Sequence, residues 1–105
     1  MLRNVVVTYQ VRPDAMDEHL RLIEAVFAEL DDRRPGDVEY TVLRLADGVS
    51  FVHVSTSETP DGSNPLVQLA AFRSFSETAG DRAATPPTPV SAELVGSYRP
   101  ARVLR

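Results

Sequence analysis

The hydrophobic pattern alternates between segments typical of strands and segments typical of helices. Residues 5–11 are almost continuously apolar or β-branched, which predicts a central strand covered on both faces. Apolar residues then recur at steps of four and three from Met16 to Leu30 and predict an amphipathic helix. Asp14 is expected to cap that helix, and Pro35-Gly36 to end it.

The next segment has the pattern of a β-hairpin. Residues 38–45 and 49–56 are rich in β-branched and aromatic residues and predict two strands. Asp47-Gly48 lies between them, and this dipeptide tolerates the positive φ that a tight turn requires.

The remaining segments predict a second helix and a fourth strand. Asn64 followed by Pro65 is a typical helix start, and Gly80 is expected to end the helix. Three prolines in residues 83–89 predict a connection, because proline cannot continue a helix. Residues 90–98 are predicted as the fourth strand, and residues 100–105 as either a disordered tail or an arm that reaches a partner.

This order of elements, β-α-β-β-α-β, predicts an α+β fold with one domain over residues 1–105. The expected subunit is an antiparallel four-stranded sheet with two helices on one face.

Composition excludes several classes of function. The chain has no cysteine, which excludes disulfides and thiolate sites and fits a reducing cytoplasm. It has no lysine and a net charge of −4, so we expect no nucleic-acid surface. The first strand follows directly on the N-terminus, so neither a signal peptide nor a membrane span is expected.

Strands that are apolar on both faces predict a second subunit. The helices cover one face of the sheet only, yet Val5 and Val7 alternate with Val6, and Val52 and Val54 alternate with Phe51. A second copy of the sheet is the simplest cover, because two-fold dimers are the commonest soluble assembly. The sequence therefore predicts a homodimer, a dimeric α/β barrel whose interior would hold a small apolar or aromatic molecule.

His53 is the leading candidate for chemistry. If Val52 and Val54 face the helices, alternation turns His53 towards the barrel interior, where an imidazole could accept a phenol proton. The alternative is a histidine satisfied by hydrogen bonds in a packed interface. His19 lies on the first helix between the polar positions Glu18 and Arg21 and is expected at the solvated surface.

Tyr40 is the second catalytic candidate, although it could equally be a core aromatic with its hydroxyl at the edge. Four further residues are predicted to complete the barrel pocket around His53 and Tyr40 and to bind the substrate: Thr8, Gln10, Arg44 and Phe51. Arg44 could instead pair with an acidic neighbour. No metal site is predicted, because neither histidine has a second ligand at helical or hairpin spacing.

Four stretches resemble the antibiotic-biosynthesis-monooxygenase-like family of the dimeric α/β barrel superfamily. They are Asp47 to Val54, Asn64-Pro65-Leu66, Phe72-Arg73-Ser74-Phe75 and Gly96-Ser97-Tyr98-Arg99. The resemblance runs from Asn4 to Arg99 and implies a ferredoxin-like subunit and a homodimer. It implies activity less directly, because relatives include oxygenases without cofactor, haem-degrading enzymes, isomerases and proteins with no known reaction.

The haem-degrading branch is set apart by an Asn on strand one, a Trp in the pocket and a His on the second helix. This chain has no Trp, has Val7 near the strand-one position and has no His on the second helix, so no haem is expected. The favoured hypothesis is a cofactor-independent monooxygenase acting on a small aromatic or quinol-like substrate. The alternative is a homodimer without activity that binds a small ligand or has a structural role.

Overall fold

The computed structural model describes residues 1–98 and contains a four-stranded antiparallel sheet with helices on one face, as the sequence predicts. Residues 99–105, which include the predicted tail, lie outside the described residues. The elements in chain order are β1 (Leu2–Val11), α1 (Met16–Arg33), β2 (Val38–Arg44), β3 (Ser50–Glu58), α2 (Ala70–Glu77), α3 (Ala79–Arg82) and β4 (Ala83–Ala92).

The strands lie in the order β2-β3-β1-β4, so β1 is a central strand, as its apolar pattern predicts. Tyr9 pairs with Phe51 and Val7 pairs with His53 across β1 and β3. Val42 of β2 pairs with His53 from the other side. These pairs place the central residues of three strands on one face of the sheet.

The first helix is confirmed, but its start differs from the prediction. Pro13–Ala15 forms a short 3-10 turn, and Ala15 is the N-cap of α1 without a side-chain hydrogen bond. Asp14 instead accepts a hydrogen bond from Arg12 Nε at 3.2 Å. The helix ends at Arg34, which adopts a left-handed conformation with φ 49° just before Pro35-Gly36.

The second predicted helix is divided into three pieces. Asn64 caps the first piece, the 3-10 turn Pro65–Gln68, by accepting a hydrogen bond from the Leu66 amide. Leu69 is extended and separates this turn from α2. Gly80 does not end the helical region, because it lies inside α3.

The position of the fourth strand differs most from the prediction. β4 is Ala83–Ala92, so it includes the three prolines, whereas residues 93–98 form no strand. Prolines are tolerated because β4 is an edge strand that pairs with β1 alone, and an edge strand needs only half of its hydrogen-bonding groups. The pairing is irregular around Gln10, whose amide donates to the Thr85 hydroxyl.

The core lies between the sheet and the helices. We call this side of the sheet the helix face; its buried cluster is Tyr9, Val11, Met16, Val26, Phe51 and Phe75. The alternate positions form the open face, which none of the described residues covers with a helix. Its central residues, aligned by the strand register, are Val6, Thr8, Thr41, Leu43, Val52, Val54 and Val90.

Candidate functional site in the cavity under the helices

A cavity of about 470 Å³ lies between the helix face of the sheet and α2 and α3. Most of its wall is apolar, and its exposed lining residues, Ser76, Gly80 and Pro89, place its mouth between the helices and β4. The residues that carry its chemistry and its aromatic wall are Tyr9, Tyr40, His53, Ser55, Phe72 and Phe75. A cavity of this size and lining is typical of small-molecule sites.

Two tyrosines bracket His53 in this wall. The Tyr9 hydroxyl lies 2.6 Å from His53 Nε2, and the Tyr40 hydroxyl lies 2.6 Å from His53 Nδ1. Strand register explains this convergence, because β3 lies between β1 and β2 and all three side chains point to the helix face. Both ring nitrogens of His53 are therefore occupied by tyrosine hydroxyls.

The network continues from Tyr9 into the helices. The Tyr9 hydroxyl also lies 2.7 Å from His19 Nε2, and Arg82 Nε donates to His19 Nδ1 at 3.0 Å. We call the five residues Arg82, His19, Tyr9, His53 and Tyr40, in this order, the histidine–tyrosine chain. It links the C-terminal end of α3 to the cavity wall.

Burial changes the acid–base properties of the histidines. His19 is 0 % exposed and His53 5 %. Desolvation lowers the pKa of His53 to about 4. Desolvation, with the nearby charge of Arg82, lowers the pKa of His19 to about 4. Both imidazoles are therefore neutral at pH 7.

Burial acts in the opposite direction on the tyrosines. Desolvation raises the pKa of Tyr9 well above its ordinary value, and the same cause raises the pKa of Tyr40. Both hydroxyls therefore keep their protons at neutral pH. They can donate or accept hydrogen bonds, but neither is ready to act as a phenolate base.

Aromatic rings hold the side chains of the histidine–tyrosine chain in place. The Phe75 ring stacks on His53 with 5.5 Å between the ring centroids, and Phe27 of α1 stacks on Tyr40 at 5.4 Å. Phe51 lies edge-on to His19 at 4.9 Å. Because these contacts fix the ring planes, the hydrogen bonds within the chain are held in one arrangement.

The predicted orientation of His53 is wrong. Its side chain lies beneath α2, on Phe75, and not on the open face. Phe51 and Tyr40 lie on the helix face together with His53. The predicted faces of β2 and β3 are therefore reversed, as they would be if each strand were shifted by one residue. The cavity consequently lies within one subunit, not in the interior of the predicted barrel.

The six predicted site residues do not line one pocket. Tyr40 and His53 line the cavity, whereas Phe51 packs in the core beside it. Thr8 and Gln10 are exposed, and together with Phe51 they line a second, more open cavity of about 460 Å³. Arg44 lines neither cavity and donates to the Gly48 carbonyl at 2.9 Å in the hairpin.

Sequence reasoning missed three members of the chain. The predicted pocket contains Thr8 and Gln10, and alternation along β1 leaves Tyr9 on the face opposite them. The pocket does not include Arg82, and His19 is predicted at the surface. His19 is wholly buried because it lies three residues after Met16 and four before Ile23, within the apolar stripe of α1. That spacing was the available signal.

Two further observations limit the kind of site. No cluster of three or more His, Asp or Glu side chains within residues 1–98 is placed to hold a metal ion. In the same residues, no helix has the length and apolar character needed to cross a membrane.

The fold and this cavity define a ferredoxin-like α+β protein with a buried polar network under its helices. Solved structures with this fold include a protein of Nitrosomonas europaea named as a candidate antibiotic biosynthesis monooxygenase, with 20% identity and a TM-score of 0.71 over 90% of each chain. Rv0793 from Mycobacterium tuberculosis superposes with a TM-score of 0.76 at 15% identity, over 94% of this chain and all of that one. A Caulobacter crescentus protein, also named as a candidate antibiotic biosynthesis monooxygenase, is 21% identical, with a TM-score of 0.68 over 90% of this chain and 91% of that one.

No family model and no curated protein matches the sequence. The structural likeness establishes the predicted fold, which many proteins named for antibiotic biosynthesis monooxygenases share. At identities of this size it establishes the fold alone.

Proposed function

We propose that the protein is a monooxygenase that uses no cofactor and acts on a small aromatic or quinol-like molecule. The observation that carries the proposal is the pair of hydrogen bonds from His53 to Tyr9 and Tyr40 in the wall of an aromatic cavity. The names of proteins with the same fold support the reaction class. The absence of cysteine in the sequence fits a cytoplasmic location for this activity.

The cavity suits an aromatic ring that carries oxygen. Phe72 and Phe75 provide flat apolar contacts for the ring, and the Tyr40 hydroxyl provides a hydrogen bond for a ring oxygen. His53 orients Tyr40 and does not take a proton from the ligand directly, since both of its ring nitrogens are already occupied.

The proposed reaction balances without an added reductant. For an anthrone, the ring methylene loses a proton to solvent, and the electron-rich carbanion that binds in the cavity shares its charge with the ring oxygen. This anion adds molecular oxygen to give a peroxide. Loss of the second methylene hydrogen and cleavage of the O–O bond leave one oxygen atom as the new carbonyl oxygen, and the other departs as hydroxide, which recovers a proton from solvent to form water. The substrate supplies the electrons, and the protein stabilises the negative oxygen and keeps bulk water away.

Oxygen uptake tests the proposal. Purified protein should consume oxygen with anthrones or hydroquinones, and His53→Ala should reduce the rate by roughly 10²-fold, the scale expected when the group that positions Tyr40 is lost. Val67→Ala is a suitable control, because Val67 is exposed and lies outside the cavity. Equal rates for His53→Ala and the wild type would remove His53 from the mechanism.

A second candidate function is ligand binding or a structural role without turnover. It is favoured by the complete hydrogen bonding of the histidine–tyrosine chain, because among residues 1–98 no buried side-chain nitrogen or oxygen lacks a partner. Buried networks of this kind also specify a unique core. Tight binding of an aromatic ligand with no oxygen uptake from any substrate would favour this alternative.

We also propose that two copies associate through the open face. Val6, Val52 and Val54 form a continuous apolar strip across the two central strands, and 57 % of Val90 is exposed beside them. A contiguous apolar surface of this kind is typical of an interface. Closed two-fold pairing would bury it against an identical strip.

A further inference from the structure

The direction of the hydrogen bonds along the histidine–tyrosine chain can be worked out from Arg82. Its Nε always carries a hydrogen, because the guanidinium stays protonated in proteins. Arg82 Nε donates to His19 Nδ1, so Nδ1 must be the acceptor. The neutral His19 ring therefore carries its hydrogen on Nε2, which donates to the Tyr9 hydroxyl.

Each later bond then follows from the one before it. The Tyr9 oxygen accepts from His19, so its own hydrogen is directed to His53 Nε2. A neutral His53 that accepts at Nε2 carries its hydrogen on Nδ1 and donates it to the Tyr40 oxygen. The Tyr40 hydroxyl hydrogen has no acceptor within the histidine–tyrosine chain, so it can be donated to a ligand in the cavity that Tyr40 lines.

The opposite direction is blocked by the way Arg82 is held. Its guanidinium also donates to the Phe75 carbonyl at 2.9 Å and to the Thr78 hydroxyl, and it lies over the Phe75 ring. Arg82 is only 4 % exposed, so it cannot turn its Nε hydrogen to solvent. A reversed chain would place two hydrogens between Arg82 Nε and His19 Nδ1.

We propose that Arg82 is a positioning residue that fixes the direction of the chain. The cavity then presents a hydrogen-bond donor at Tyr40 and selects aromatic ligands that offer an acceptor oxygen there, above all a phenolate. This inference rests on the proposed function because both concern ligands in the same cavity. It predicts which ligands bind there and does not require that they react.

Nitrogen NMR of protein labelled in its histidine rings tests the direction. The chain has two histidines, so the four ring nitrogens can be assigned individually. We expect hydrogen on Nε2 of His19 and on Nδ1 of His53. Hydrogen on Nε2 of His53 in the wild-type protein would overturn the proposal, even if no variant could be prepared.

The variant Arg82→Met tests the role of Arg82 itself. It removes the donor to His19 Nδ1, so a form of His19 with hydrogen on Nδ1 should appear in the spectrum. Arg21→Met is the matched control, because Arg21 is exposed on α1 and pairs with Glu18, away from the cavity. A folded Arg82→Met protein with unchanged histidine protonation would contradict the proposal.

Ligand binding tests the consequence at Tyr40. In mildly alkaline buffer, para-nitrophenol is ionised and presents an acceptor oxygen, whereas the similarly shaped para-nitroaniline presents a donor there. The wild-type protein should bind the nitrophenolate more tightly, and Tyr40→Phe should weaken that binding roughly tenfold or more, as expected for a lost hydrogen bond to a charged group. Tyr98→Phe is the matched control, since Tyr98 is 89 % exposed.

The outcomes separate this inference from the proposed function. Nitrophenolate selectivity that depends on Tyr40, with no oxygen uptake, would support the donor chain and contradict the monooxygenase. Oxygen uptake together with equal binding of the two probes would support the enzyme and overturn the inference.

Discussion

At the scale of single residues, the two buried histidines make stability depend on pH. The pKa of His19 and of His53 is lowered to about 4 in the folded protein, so the unfolded chain binds more protons below the ordinary histidine pKa of about 6.5. Folding is therefore stabilised at neutral pH and loses that stability as the pH falls from about 6.5 to 4. Between pH 7 and 5 the loss should reach roughly 2 kcal/mol for each histidine.

Urea unfolding at several pH values measures this loss. His53→Gln should be less stable than the wild type at pH 7, because it disrupts the hydrogen bonds to the two tyrosines. Its stability should nevertheless vary less with pH, since one titrating group is gone. A wild-type protein whose unfolding free energy is the same at pH 5 and pH 7 would contradict the low histidine pKa values.

The sequence identified the two main residues of the cavity but not their environment. Tyr40 and His53 both line the cavity, because alternation along β2 and β3 places them on one face. Their face could not be decided, since Val52 and Val54 on one side and Phe51 and His53 on the other are both compatible with burial. The bulky aromatic rings occupy the thick layer under the helices, and the valines lie on the flat open face.

At the scale of the elements, the end of α1 is held in an unfavourable conformation that can be relieved. Arg34 adopts φ 49°, and its amide donates to the Leu30 carbonyl to close the helix. Glycine adopts this conformation without the steric cost that a Cβ atom imposes. Arg34→Gly should therefore raise the unfolding free energy by about 0.5–1 kcal/mol.

The neighbouring position is the control for this prediction. Arg33 is in the helix, where glycine is unfavourable, and Arg33→Gly should lower stability by about 1 kcal/mol. It would also remove the partly buried ion pair with Glu29, which adds to that loss. Chemical denaturation of both variants should give shifts of opposite sign, and a shared sign would show that the conformation of Arg34 carries no cost.

Regular elements were predicted well and irregular ones poorly. α1 and the β2–β3 hairpin have strong periodicity and a clear turn at Asp47-Gly48, whose glycine has φ 79° as expected. The predicted position of β4 is wrong because the prolines of residues 83–89 predict a connection, whereas they lie within the strand. Whether proline is compatible with a strand depends on that strand lying at the edge, and the order of strands in the sheet is a tertiary property that local sequence does not contain.

At the scale of the whole molecule, the open face makes association the expected state. The part of the chain that the structure describes has one helical layer, and a chain of 105 residues with an apolar sheet face in water has little stability to spare. Since the cavity lies on the other side of the sheet, each subunit would keep its own site. Association of two copies would then affect ligand binding in the cavity only through the strands, whose residues point alternately to the open face and to the cavity.

Light scattering and thermal unfolding test this association. The wild-type protein should have twice the mass of one chain at micromolar concentration, and its midpoint of unfolding should rise with protein concentration because folding is coupled to pairing. Val52→Glu places a charge at the centre of the open face and should abolish the larger mass, whereas Val67→Glu, an exposed site outside the sheet, should not. A wild-type mass of one chain, with an unfolding midpoint independent of concentration, would show that the open face is stable in water and needs no second copy.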